Sequence, residues 1–284
     1  MTAPADAPVV AAVGPSEQAL QVVRLAAREA ADHGRPLRLL HAFNWAAAPQ
    51  PSPGAAPHVE AEHLLQRAAA VAGEVEPAVP VGSELVEGAA VAALVRRSET
   101  AFLVAIGAGG MRCTDCVPAD APAVQLAAQA GCPVLVVRPE SPPKGPVLVG
   151  VDGSASSRVA LEFAFDCAAR RSAPLLAVRV TEPAPAGAAS RDADAEARAE
   201  LEEAVGRCGR RHPAVRAECR TVAGEPDRVL VDQSRAAQLA IVASRGEDPL
   251  RGMLGDVSQS LLYHSPAPVI VVRGLATTAA VDGS

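Results

Sequence analysis

The sequence predicts an α/β fold of doubly wound parallel sheets, present twice in one chain. Three observations predict it. Short apolar runs alternate with longer amphipathic stretches, the order that a parallel sheet with crossover helices requires. The chain resembles itself at a nearly constant offset. Its 284 residues suffice for two domains of ordinary size.

The internal repeat sets the domain boundaries. Residues 9–16 (VVAAVGPS) read like residues 147–154 (VLVGVDGS), an offset of 138. Pro36-Leu37 and Pro174-Leu175 keep that offset. Gly88 pairs with Gly224 and Gly110 with Gly246 at 136, and residues 131–138 (GCPVLVVR) pair with 266–273 (PAPVIVVR) at 135. These landmarks divide the chain into domains at 1–138 and 147–273. Residues 139–146 (PESPPKGP) form a short, semi-rigid linker. Residues 274–284 are expected to be a disordered tail.

The elements of the second half follow in order. Residues 147–151 are an apolar run that fits a buried parallel strand. Ser154 caps a helix from about 155 to 171, with Val159, Leu161, Phe163, Ala164 and Cys167 expected on its inner side. Pro174 stops that helix, and 175–180 is the next strand. After a polar, Ala/Pro-rich loop comes a helix near 193–209, then a third strand at 218–222. Gly224-Glu225-Pro226 opens a helix that runs through Arg235. Residues 239–243 form a fourth strand, 257–263 a helix and 268–273 a fifth strand. Sheets of this kind bind ligands at the carboxyl ends of their strands, where the strand order reverses.

Composition narrows the chemistry. Hydrophobic residues make up 49% and charged residues 20%, as in a globular chain. Aromatic residues are only 2%, so Ala, Val and Leu must fill the core. A net charge of -6 gives no electrostatic footprint for nucleic acid or an anionic membrane. No apolar run reaches the ~18–20 residues of a spanning helix. The first residues, MTAPADAPVV, lack a basic stretch followed by an apolar one, so the expected compartment is cytoplasmic and the six cysteines are expected as reduced thiols. Lys144 is the sole lysine and lies in the Pro-rich joint, which excludes a P-loop lysine or a core Schiff-base lysine. GxSxG, HExxH and a complete GxGxxG are all absent from the sequence.

Five pieces of the second half carry a resemblance: Val-Gly-Val-Asp-Gly-Ser (149–154), Gly-Glu-Pro (224–226), Val-Ala-Ser-Arg-Gly (242–246), Leu-Gly-Asp-Val-Ser-Gln (254–259) and Pro-Val-Ile-Val-Val (268–272). Together they resemble a tandem universal stress protein, across nearly the whole chain and in two copies. The resemblance implies two flavodoxin-like or Rossmann-like domains, each with a five-stranded, parallel-type sheet flanked by helices. It also implies pairing of the halves through their fifth strands, 133–137 and 268–272, which hides two sheet edges. Nucleotide-binding members of the family are similar in having an Asp after the first strand, a Val ending the second, and G-x2-G-x9-G-[ST] after the fourth. Glycines there let backbone N–H groups approach phosphates, and the following helix adds favourable partial charge.

Carried onto the second half, the pattern implies Asp152 and Val180 at the base of a cleft. It places Gly246, Gly255 and Ser258 around phosphates. Departures are visible. Ala243 stands for the first glycine, eight residues rather than nine separate Gly246 from Gly255, and Asp256 follows Gly255. Glu247, Asp248 and Asp256 oppose a triphosphate, and Arg245 and Arg251 partly offset them. ATP, with Mg²⁺ arriving on the nucleotide, or another adenine nucleotide is the implied ligand, in this half only. Asp152 equally suits an Asp-Gly turn, and Gly246 and Gly255 equally suit tight turns. In the first half Gly14 replaces the Asp. Gly107 and Gly110 keep their spacing, but Asp120 and Ala121 replace the last glycine and hydroxyl, and Pro118 and Pro122 lack N–H donors. That half is expected to hold no nucleotide.

Other motifs read more plainly. Cys113 and Cys116 have CxxC spacing, which suits redox chemistry or half a zinc site, yet no second CxxC completes one. They are expected to be ordinary loop thiols, and no metal site is expected. His58 and His63 are expected at the surface, His41 and His264 at element ends, and Trp45 just past a strand end. The segment 191–207, with Glu196, Glu200, Glu202 and Glu203, is expected to be a solvated helix face.

The function implied is a stress-response or regulatory module rather than a metabolic enzyme, with slow ATP hydrolysis at most. No lysine or arginine finger is identifiable for phosphoryl transfer. A nucleotide-independent interaction scaffold with both pockets degenerate is the other reading. A flavoprotein-like or adenylylating enzyme is a third, without a signature residue. Intramolecular pairing of the domains, a possible homodimer and an unidentified regulatory protein are the expected partners.

Overall fold

Runs of Val, Leu, Ile and Ala set the strands, and Ser16, Pro57, Pro122, Ser154 and Pro226 stand at the starts of five of the crossover helices. The structure, a computed structural model, describes residues 4, 6–43, 57–109, 121–182, 188–244 and 254–273. The first half runs β1 (Val9–Ala12), α1 (Glu17–Asp32), β2 (Leu37–Phe43), α2 (Pro57–Val75), β3 (Val81–Glu87), α3 (Ala90–Ser98), β4 (Leu103–Gly107), α4 (Pro122–Gln129) and β5 (Val134–Val137). The second half repeats the order as β6 (Val147–Gly150), α5 (Ala155–Arg170), β7 (Leu175–Thr181), α6 (Ala188–Gly209), β8 (Ala217–Ala223), α7 (Pro226–Ser234), β9 (Leu239–Ala243), α8 (Asp256–His264) and β10 (Val269–Val272).

The described strands form one sheet in the order β3-β2-β1-β4-β5-β10-β9-β6-β7-β8. Neighbours within each half are parallel, and β5 and β10 are antiparallel, with Leu135 opposite Ile270. The fifth strands thus join the halves. Strand order reverses between β1 and β4, and again between β6 and β9. One apolar cluster lies on the face of α1, α2, α5 and α6, and the other on the face of α3, α4, α7 and α8. Both run through both halves.

The repeat survives in backbone detail. Val9 N–H donates to Pro36 O and Val147 N–H to Pro174 O. Gly88 and Gly224 both have positive φ (116° and 154°), and their N–H groups donate to the equivalent Phe43 O and Thr181 O. A side chain is strained in that backbone conformation, which explains a glycine at both places.

Matching contacts close the joint between halves. Arg138, just past β5, donates to Leu261 O and Leu262 O at 2.8 and 2.7 Å, at the end of α8. Arg273, just past β10, donates to Gln129 O at 2.9 Å and to Ala130 O, at the end of α4. Each arginine caps the other half's last helix. On the opposite face Arg170 donates to Asp32 O at 2.7 Å, Arg171 pairs with Glu29, and His33 Nδ1 lies 3.3 Å from Asp166. In the linker, a Cβ on Gly145 would sit 2.0 Å from Ala236 O, so only glycine permits that docking.

Three expectations need correction. Val159 and Phe163 are only partly buried, while Phe165 is fully buried. Helix α5 faces the first half as well as the sheet, so Phe163 turns toward His33 and Phe102, with ring centroids 6.1 and 6.2 Å away. His41 lies within β2, not at its end, and its Nδ1 is 2.7 Å from Val13 O. Helix α6 starts at Ala188 rather than 193, because the Ala-rich stretch before it has high helix propensity. No helix among the described residues is long and apolar enough to cross a membrane.

Candidate functional site

The crevice of the second half is built from β6 outward. Val151 N–H still donates to Val178 O at 2.9 Å, and the chain then leaves the sheet at Asp152. Asp152 is exposed, and its Oδ1 accepts from Ser154 N–H at 2.9 Å. Gly153 turns the chain with φ 89°, and Ser154 caps α5 by accepting from Ser157 N–H at 3.1 Å. Desolvation opposes charge on Asp152. The Ser154 hydroxyl and N–H and the Ser157 hydroxyl outweigh it and hold the carboxyl below its usual range. Asp152 is therefore an ionised acceptor at neutral pH, aimed by a fixed turn.

Val180, the penultimate residue of β7, is half-buried and packs on the α7-side cluster. Across the reversal point, β9 ends at Ala243, and Gly255 N–H donates to Ser244 O at 3.2 Å. Gly255 is the N-cap of α8 and supplies no capping side chain, so the first-turn N–H groups face outward without a side-chain acceptor. Its φ is an ordinary −69°, and a Cβ there would meet only Ser244 O at 3.9 Å. The fold therefore does not itself require glycine at 255. Approach of something from outside is a sufficient reason for one. Asp256 is exposed in that first turn, and Ser258 is 3% exposed with its Oγ donating to Ala243 O at 2.7 Å. The Ser258 hydroxyl tethers α8 to β9, leaving only its lone pairs for another partner.

The structure thus brings Asp152, Val180, Gly255 and Ser258 to the carboxyl end of β6, β7 and β9. Gly246, with Arg245, Glu247, Asp248 and Arg251, lies outside the described residues, as do Trp45, Gly110, Cys113, Cys116, Pro118 and Asp120. Two arginines that the sequence reading did not single out frame the Asp152 turn. Arg158 Nη1 donates to Gly153 O at 2.8 Å. Arg179 lies 3.5 Å from where a Gly153 Cβ would stand, and its Nη1 donates to Glu200 at 2.5 Å. Arg179 was findable as the neighbour of Val180 pointing to the other face of β7. In the first half Gly14 stands at the Asp152 position, and Pro122 occupies the start of α4. His58 and His63 are exposed, and no group of three or more metal-ligating side chains occurs among the described residues.

Two doubly wound units, joined at their fifth strands and each with a reversal of strand order, define a tandem α/β class. Comparison with known proteins gives the family. The universal stress protein family matches residues 7–138 and again 145–273, so the chain belongs to that family. A universal stress protein of Mycobacterium tuberculosis strain H37Rv is 33% identical over 285 residues, covering 93% of this chain and 96% of that protein. A universal stress protein of Mycolicibacterium smegmatis is 31% identical over 284 residues, with the same coverage of 93% and 96%. Among solved structures, a universal stress protein from Archaeoglobus fulgidus aligns with TM-score 0.72 at 18% identity, covering 94% of this chain and 96% of that one. That likeness extends to the fold.

Proposed function

We propose that the second half binds an adenine nucleotide at the β6–β9 reversal point and that the chain acts as a ligand-responsive regulatory module. Asp152 and the end of β7 at Val180 hold the base and ribose. Gly246, Gly255 and Ser258 surround the phosphates, and Mg²⁺ accompanies ATP rather than occupying a site of its own. The observation that carries this reading is the pairing of an ionised, turn-fixed Asp152 with a helix start at Gly255 that carries no capping side chain. The residues fit a nucleotide of fewer phosphates better than a triphosphate, because Asp256 repels anions at the helix start. The first half, with Gly14 and Pro122 at the matching places, serves as the structural partner.

One observation favours the scaffold reading instead: the Ser258 proton already goes to Ala243 O. A thermal-shift series with AMP, ADP and ATP separates the two. A ligand present at a hundred times its Kd stabilises the fold by about 2.7 kcal/mol. A midpoint that rises with nucleotide concentration, and does not rise in Asp152→Ala, supports binding. Flat melting at millimolar concentrations of all three leaves the scaffold.

A further inference from the structure

We infer that the groove between α5 and α6, on the outer face of the second half, is a binding site for a small polyanion. It is separate from the nucleotide crevice. It is a half-open groove of about 500 Å³, a volume within the range of small-molecule sites. Leu161, Ala204 and Cys208 floor it, and the guanidinium-bearing Arg158, Arg207, Arg210 and Arg211 wall it, with Glu162 the one acid of the lining. A local excess of positive charge is informative in a chain of net charge -6.

The duplicated half supplies the control. Buried Leu65, Ala68 and Ala72 on α2 stand at an offset of 136 from buried Leu201, Ala204 and Cys208 on α6. The same offset places Val71, Glu74 and Val75 opposite Arg207, Arg210 and Arg211, and an offset of 138 places Leu20 opposite Arg158. Leu20 is buried, Val71 and Val75 are partly buried against the core, and Glu74 is exposed, so three of the four places are apolar in the first half. In the second half, arginines stand at those positions, and the seam opens into a charged groove. Packing alone does not call for this exchange, since apolar residues stand at three of these four places in the equivalent helix pair of the first half.

The arginines are available to a ligand. Arg207 and Arg211 are 55% and 64% exposed on their side chains, and each meets one carboxylate, Glu203 at 3.5 Å and Glu162 at 2.6 Å. Five N–H donors per guanidinium leave most of each fork free for an oxyanion. Among the described residues Arg210 reaches Gly206 O alone, at 3.5 Å. The Cys208 floor senses this field: desolvation and Glu162 push its thiol up, and Arg211 and Arg207 pull against them. The apolar floor with charged walls suits a compact body carrying two or more phosphate or carboxylate groups. Arg158 also connects the groove to the Asp152 turn, because its Nη1 donates to Gly153 O.

The test is an amide NMR titration of the full chain with pyrophosphate and, separately, with citrate. Saturable shifts at Leu161, Ala204 and Cys208 are expected with at least one anion. Whichever anion acts tells phosphate from carboxylate as the source. Affinity should fall at least tenfold in the Arg207→Ala/Arg211→Ala pair and stay unchanged in Asp152→Ala, so failure of the nucleotide crevice leaves this result intact. Absence of saturable shifts with both anions at millimolar concentration overturns the inference. Shifts that persist undiminished in the double variant overturn it too.

Discussion

Gly153 and Asp166 show what single positions contribute. Gly153 has φ 89°, so Gly153→Ala should destabilise the chain by about 1–2 kcal/mol, read from the urea midpoint, and should misaim Asp152. Asp166 links the halves through His33 and Arg170. Desolvation pushes its carboxyl up, but the hydrogen bonds from His33 and Arg170 and the Arg170 charge win and leave it well below the ordinary carboxylate range. The sign follows from linkage: a carboxyl held low in the folded state adds stability above its unfolded pKa of ~3.9 and loses it as pH falls further. Asp166→Asn should therefore lower Tm near neutral pH, and its difference from the parent chain should shrink progressively below about pH 4. A Tm difference that stays constant down to strongly acidic pH would contradict the pairing. The place of Asp152 just after the first strand of the second half was legible in the sequence, whereas its part in a ligand site came from the resemblance and stays a proposal. The role of Arg158 was not legible, because which backbone carbonyl an exposed arginine reaches depends on tertiary approach.

Helix ends carry the joint at the next scale. Arg138 is 8% exposed among the ends of α8 and β5, and burial draws its guanidinium pKa down to about 10, so it remains charged at neutral pH. Arg138→Ala should cost about 2–3 kcal/mol, since it strips the Leu261 and Leu262 carbonyls of a buried donor. Arg273→Ala, at the matching but less buried place, should cost less. Chemical denaturation of both variants checks the order. Strand positions in the second half, and its helices apart from the start of α6, were legible to within a residue or two, because Pro174, Gly224 and Pro226 punctuate them. The inner face of α5 was read less well. Helical periodicity shows that a residue is apolar, not whether the sheet or the other half receives it, and Phe163 and Phe165 divide on that point.

Taken whole, the molecule is a sheet whose centre is its own joint. Val134 to Val137 and Val269 to Val272 are all at most 2% exposed, and separation of the halves would bare both as edge strands. Residues 145–273 expressed alone should self-associate, and a monomer by sedimentation at micromolar concentration would contradict the role given to that pair. The duplication was readable from sequence because turn glycines and strand prolines recur at a nearly constant offset. The asymmetry between the crevices was readable only in outline. Residues 245–253 lie outside the described structure, and the proton of Ser258 is assigned by a contact that no spacing reveals. Native mass spectrometry of the full chain with AMP or ATP tests the central claim most directly. One nucleotide per chain, absent from Asp152→Ala, is the predicted spectrum. Two nucleotides per chain, or one that Asp152→Ala retains, would contradict it.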